Sequence, residues 1–330
     1  MSVMPRATIS TLEYYLPSNT LTNDNLAEEF PEWNAAKIAS KTGINIRHIA
    51  SRAECSSDLA VAAARKIFDG GVVKKEDIEF LLFCTQTPDF ALPTTACLIQ
   101  DRLGIPETAG ALDFNLGCSG FIYGLLLAKG LIETGQVKNV LLITAETYSK
   151  LIDPADKAVR TIFGDGAAAT LVTACDDEMP SIGPTVLGTD GSGGGNLICA
   201  RGGFRETESS MNGHSALWMH GPEIFNFTLR VVPECVRQLL AKGGLKMDDV
   251  DLFVFHQANL YILEHLRKKL GIPENKFVVA IEKSGNTVSS TIPIALALAL
   301  EEGRLKTGQI VMLVGFGVGY SWGATLLRWK

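Results

Sequence analysis

Residues 112–130 read LDFNLGCSGFIYGLLLAKG, and residues 251–271 read DLFVFHQANLYILEHLRKKLG. Each passes from a short apolar run through a polar turn into a helical spacing of apolar residues. Each also carries one reactive side chain in the turn, Cys118 in the first and His256 in the second. A bounded apolar run followed by that spacing reads as a strand feeding a helix. A third copy, KFVVAIEKSGNTVSSTIPIALALAL over 276–300, holds Asn286 in its turn, and VLLITAE, ATLVTA and IVMLVGF extend the alternation. The pattern predicts an α/β protein of βαβ units, with mostly parallel sheets covered by helices. Turns of this kind gather at the carboxyl ends of the strands, so Cys118, His256 and Asn286 are expected to converge on one cleft.

The chain has 330 residues, 46% of them hydrophobic and 20% charged, which is enough globular material for two domain-sized cores. The acidic, proline-containing stretch ACDDEMPSIGP at 174–184 separates two alternating series and divides the chain into 1–178 and 179–330. A formal net charge of −6 without long single-sign runs gives no electrostatic footprint for nucleic acid. The N-terminus lacks a secretory pattern and no apolar run is long enough to span a bilayer, so a cytoplasmic protein is expected. Seven scattered cysteines, none in CxxC spacing, argue against a disulfide framework and a metal site. Cys84 and Cys175 end β-like runs and read as small buried hydrophobes.

Cys118 is placed differently. A thiol at a helix start faces unpaired N–H groups and the positive end of the helix dipole, which favours thiolate. Gly117 and Gly120 permit a sharp turn there, and the backbone N–H of Cys118 is a candidate oxyanion donor. His256 ends the apolar run LFVF, whereas His48, His214, His220 and His265 sit in polar or helical contexts that suit surface or structural roles. Asn286 on its own is equally a turn or cap residue. The glycine-rich stretches at 190–196 and 315–323 have neither dinucleotide nor P-loop spacing. The second follows IVMLV and suits presenting bare N–H groups to a reacting carbonyl. In FGDGAAAT, Asp165 is expected to hold backbone amides.

NLGCSG around Cys118, HQAN from His256, SGNTVSSTIP around Asn286, DPADKAVRTIFGDGAAA and the terminal GFGVGYSWGATLLRW together resemble the β-ketoacyl-acyl carrier protein synthase III family, in order and over nearly the whole chain. The resemblance implies a thiolase-like fold, two pseudo-twofold-related α/β/α halves with mixed sheets in a five-layer αβαβα arrangement, and a homodimer. It implies an acyltransferase of fatty-acid or specialised acyl-chain biosynthesis, with Cys118 as acylated nucleophile. His256 and Asn286 then stabilise the enolate formed when malonyl-acyl carrier protein loses carbon dioxide, and the N–H groups of Cys118 and Val318 form the oxyanion hole. Acyl-CoA and acyl carrier protein are the implied substrates and partners, with no metal or redox cofactor.

The implied substrate-binding set is Leu92, Lys37, Lys41, Lys157, Gly317, Asn259 and Tyr261, and it departs from the family pattern. Tyr261 stands where many members dock the carrier through arginine, and Lys41 and Lys157 also replace arginines. Lys37 matches the tryptophan that stacks on adenine, with Trp33 four residues earlier, and Leu92 matches the phenylalanine that limits the acyl pocket. Lysine keeps the charge but loses the planar fork and the stacking surface. These changes point away from an acetyl-CoA primer. A papain-like hydrolase is excluded by its missing signature and by the α/β pattern. An inactive partner subunit is the rival outside enzymes, and acyl transfer to an oxygen, nitrogen or sulfur acceptor without decarboxylation is the rival within them.

Overall fold

Residues 5–176, 181–203, 205 and 216–330 are described by a computed structural model. The division expected at 178/179 and His214 lie outside the described residues. From the N-terminus the strands are β1 (Arg6–Tyr15), β2 (Asn19–Thr22), β3 (Ile46–Ile49), β4 (Phe80–Cys84), β5 (Gly110–Phe114), β6 (Asn139–Glu146) and β7 (Gly166–Cys175). They continue with β8 (Ile182–Thr189), β9 (Leu197–Cys199), β10 (Leu217–Met219), β11 (Leu252–Phe255), β12 (Ile310–Gly317) and β13 (Ser321–Arg328). One sheet has the order β1-β7-β6-β4-β5 and the other β11-β12-β13-β8, while β2/β3 and β9/β10 are small ribbons.

The pairing is mixed, which corrects the expectation of mostly parallel sheets. Only β6-β4, β4-β5 and β11-β12 run parallel, because β12 turns straight into β13 as a hairpin and β7 returns between β6 and β1. A second correction concerns KFVVAI, which forms no strand. Phe277 makes one isolated bridge to Phe253, so this segment crosses the edge of the second sheet rather than extending it.

The helices are α1 (Asn23–Glu29), α2 (Ala35–Thr42), α3 (Ser56–Asp69), α4 (Thr95–Leu103), α5 (Gly120–Glu133), α6 (Lys157–Arg160), α7 (Gly221–Gly243), α8 (Leu260–Leu270) and α9 (Thr291–Glu301). Strand alternation sorts them into layers. Leu81 and Phe83 of β4 pack outward on α3 and α4, whereas Leu82 points inward to α5. In β11, Leu252 and Val254 point inward to α5 and α9, while Phe253 and Phe255 meet α7 and α8. The result is five layers, αβαβα. α5 and α9 occupy the middle, and their sequences GFIYGLLLAKGLIE and TIPIALALALE are apolar on nearly every side, as burial between two sheets requires.

This central packing brings backbone against backbone. A Cβ on Gly315 of β12 would lie 2.8 Å from both the Cys118 carbonyl and Ser119 Cα, at the start of α5. One on Gly317 would lie 2.7 Å from Cys118 Sγ. Ser119 and Ser321 close the same seam with a 2.5 Å hydroxyl–hydroxyl bond. The expected cost of Gly315→Ala is about 1–3 kcal/mol, read as a lower urea midpoint at unchanged slope. An unchanged midpoint would show that the seam yields freely.

Candidate active site

Cys118 lies between the end of β5 and the first turn of α5, two residues before the helix begins. It is 5% exposed and packs with Tyr148, Val159, Phe163, Leu197, Leu217 and Val288. Burial pushes its thiol up to about 12, against the pull of the backbone N–H groups of Val318 and of Cys118 itself, with Glu146 adding a like-charge push. This corrects the expectation of a resting thiolate. The N-terminal end of α5 favours the thiolate, but burial in an apolar shell outweighs it. Cys84 is also buried, under Gly120, with its Sγ 2.9 Å from the Leu116 carbonyl. Cys175, expected to be buried, is only half-buried at the end of β7.

His256 follows β11 directly and is 2% exposed. Its backbone N–H donates to Val314 of β12 at 2.8 Å, its ring stands edge-on to Phe316 with centroids 5.5 Å apart, and Nδ1 lies 2.7 Å from Thr291 Oγ1. Burial pulls its pKa down to about 3, so the imidazole is neutral near pH 7. Asn286 is threaded between the halves. Its N–H donates to the Ile162 carbonyl at 2.9 Å, its carbonyl accepts from Gly164 N–H at 3.1 Å, and its Nδ2 reaches the Ala258 carbonyl, two residues after His256, at 3.3 Å. Its Oδ1 accepts from Val288 N–H at 2.9 Å. Val288 adopts φ 55°, the left-handed region that a β-branched residue rarely enters, and its side chain belongs to the same buried cluster as Cys118. The structure therefore brings Cys118, His256, Asn286 and Val318 to one place.

Sequence reading missed the residues that hold these in position. Glu146, fully buried at the end of β6, accepts from Gln86 N–H at 3.0 Å, Thr87 Oγ1 at 3.2 Å and Ser289 Oγ at 2.8 Å. Burial outweighs those donors and pushes its carboxyl up to about 8. The signal was available, because Glu146 closes the apolar run LLITA just as His256 closes LFVF. Arg47 is also fully buried, its guanidinium on the Thr161 carbonyl at 3.0 Å and Asn23 Oδ1 at 2.6 Å, and it fills the space beside Gly285 next to Asn286. No pattern in INIRH marks it. Asp165, as expected, accepts from the amides of Ala50 at 2.7 Å and Ser149 at 2.8 Å.

A cavity of about 610 Å³ adjoins the cysteine and is lined by Tyr148, Leu197, Leu217, Val318, Phe90 and Lys150, among others. Leu92 is 86% exposed, on the loop next to this cavity. Asn259 caps α8 by accepting from Ile262 N–H at 2.8 Å. Lys37 and Lys41 are exposed on α2, whose C-cap Gly43 abuts Leu260 at the start of α8. Tyr261, 55% exposed, meets the Phe225 and His265 rings in tilted contacts, with centroids 5.4 and 4.2 Å away. Lys157 is engaged by Glu32 and lies 5.1 Å from the Phe30 ring centre. Among the described residues, no cluster of His, Cys, Asp and Glu is spaced to hold a metal ion.

A model described as 3-oxoacyl-acyl-carrier-protein synthase III matches residues 112–191, and one for the C-terminal part of that enzyme matches 240–329. A β-ketoacyl-acyl-carrier-protein synthase III of Clostridium perfringens is 39% identical over 95% of this chain and 96% of its own length. The chain belongs to the β-ketoacyl-acyl carrier protein synthase III family. A second synthase III, from Caldanaerobacter subterraneus, is 38% identical over 96% of each chain. One solved 3-oxoacyl-acyl-carrier-protein synthase III superposes with a TM-score of 0.96 at 51% identity, covering 98% of this chain and 100% of that one. A priming β-ketosynthase of a polyketide pathway superposes at 0.90 with 30% identity, over 100% and 98% of the two chains. The five-layer architecture is thus the thiolase fold of synthase III.

Neutral burial of His256 has a consequence for stability. Between about pH 6.5 and about 3 the unfolded chain binds a proton at this site that the folded chain does not, so acidification costs stability there. The contribution is fully present above pH 6.5 and shrinks by up to about 1.4 kcal/mol per pH unit below it. The expected result for His256→Asn is a shallower loss of unfolding free energy from pH 6.5 to 4.5 than in the parent. Parallel pH profiles would contradict neutral burial.

Proposed function

We propose that the chain is a decarboxylating condensing enzyme that loads an acyl group on Cys118 and joins it to a malonyl unit carried by acyl carrier protein. The observation that carries this is the neutral donor pair, the His256 ring and the Asn286 amide, set beside a buried thiol under backbone N–H groups. In loading, Cys118 sulfur attacks the donor thioester, its proton goes to the departing thiol, and a new thioester forms on the enzyme. The N–H groups of Cys118 and Val318 hold the tetrahedral oxyanion. In condensation, loss of carbon dioxide leaves an enolate whose oxygen is stabilised by His256 and Asn286. Its carbon attacks the Cys118 thioester and releases the cysteine. Uncharged donors suit an oxygen that becomes charged only during reaction, because they bind it without first having to shed a proton or a counter-ion.

Three features shape the donor. A cleft of about 610 Å³, lined in part by Tyr148, Leu197, Leu217 and Val318 of the Cys118 cluster, has room for more than an acetyl group. Lys157 pairs with Glu32 and neighbouring Arg160 with Glu29, so an incoming phosphate on this face competes with carboxylates. Tyr261 offers an aromatic surface in place of a charge. These support an acyl group longer or more elaborate than acetyl, delivered by a dedicated carrier protein in a specialised pathway. The proposed assembly is a cytoplasmic homodimer through the β5 edge, where Phe90, Leu92 and Leu112 are exposed. No helix among the described residues is long and apolar enough to cross a membrane. The chemistry asks for no resident cofactor.

Intact-mass measurement after incubation with acyl-CoAs and acyl carriers is expected to show one adduct, lost in Cys118→Ala. His256→Ala and Asn286→Ala should each slow malonyl decarboxylation by about 10²–10³ while loading suffers less. Loading that collapses while decarboxylation persists would reverse the roles. An acyl-enzyme that passes its group to an alcohol or amine and ignores malonyl donors would replace condensation with plain acyl transfer. A tenfold or greater preference for acetyl-CoA over longer and branched donors would overturn the donor reading.

A further inference from the structure

Resting on that reading, a second question is which ring nitrogen of His256 carries the proton. Only a protonated Nε2 can donate to the enolate while Nδ1 is held inside the protein. Nδ1 has one partner among the described residues, the Thr291 hydroxyl at 2.7 Å. That hydroxyl has a single proton and two places to send it, Nδ1 or the Val288 carbonyl at 3.1 Å. The Val288 carbonyl already accepts the backbone N–H of Thr291, at the junction where the short 3-10 turn 288–290 runs into α9. Nδ1 is both nearer and otherwise without a donor.

We propose that Thr291 is a positioning residue that sets the His256 tautomer: its hydroxyl donates to Nδ1, which leaves Nε2 as the protonated, donating nitrogen. The assignment follows from geometry that is fixed on both sides. Thr291 is 3% exposed at the first turn of α9, and His256 is clamped by the Val314 carbonyl through its backbone and by Phe316 across its ring. The same turn carries Val288, whose N–H orients Asn286. One short segment therefore aims the amide of Asn286 and selects the proton position on His256.

The test is nitrogen NMR on protein labelled with ring-¹⁵N histidine, with the His256 signals identified by their loss in His256→Asn. In the resting parent protein, Nε2 is expected to show the shift of a protonated nitrogen and Nδ1 that of a hydrogen-bonded acceptor. Thr291→Val should move both shifts toward a mixture of tautomers and lower kcat for malonyl decarboxylation about 3- to 10-fold, with KM little changed, as loss of one hydrogen bond implies. Thr291→Ser should restore both. A protonated Nδ1 in the parent overturns the proposal, as does a Thr291→Val protein with parental shifts. If Thr291→Val fails to fold, Thr291→Ala, which also removes the hydroxyl, takes its place: parental shifts in it overturn the proposal, and a mixture of tautomers supports it. The shifts are read without substrate, so they stand or fall separately from whether His256→Ala impairs decarboxylation.

Discussion

The approach of β12 to the start of α5 is the contact on which the site depends. At Gly315 and Gly317 there is no room for a side chain, because the carbonyl and sulfur of Cys118 occupy it. That absence lets the Val318 N–H reach the thiol, carries Phe316 to the ring of His256, and fixes how deep α5 sits between the two sheets. A layer spacing that elsewhere is set by side-chain volume is set here by bare backbone. The thiol, the backbone N–H groups around it and the histidine are thus placed by one packing event rather than by three independent loops.

The electrostatics follow from the same enclosure. Desolvation raises Cys118, raises Glu146 and lowers His256, three shifts of different sign on the pH scale with one cause, the cost of any charge in an apolar shell. Burial thus disfavours charge on all three side chains. The dipoles beside them are fixed in direction by Val314, Thr291 and Val288. Such preorganisation avoids the reorganisation that water would need.

Much of this was legible in the sequence because strand-turn-helix signals are local. Cys118, His256 and Asn286 each sit in a turn whose flanks announce themselves by apolar periodicity, and their convergence follows from where α/β turns gather. Sheet direction was not legible. Nothing in GAAATLVTAC or SWGATLLR tells parallel from antiparallel, since both are buried runs whose partners lie elsewhere in the chain. The same limit applies to KFVVAI, which has strand composition but crosses the sheet edge. The thiol's resting state was misread because burial is a tertiary property, whereas the helix start is a local one. Arg47 and Thr291 escaped notice because the contacts that matter for the site, with Thr161 and Gly285 for the first and with His256 for the second, lie in distant segments.

Val288 shows how selection reads such a site. Its left-handed backbone costs about 1–3 kcal/mol, and burying its side chain in the cluster that holds Cys118 returns about 1.5–3 kcal/mol. The two nearly cancel, so replacement by a residue at ease with positive φ leaves the folded population almost unchanged. Stability measurements are then blind to the side chain at this position, while the backbone N–H that holds Asn286 is kept by any non-proline residue that takes the same φ. Variation at residue 288 is limited by the backbone angle more than by the side chain.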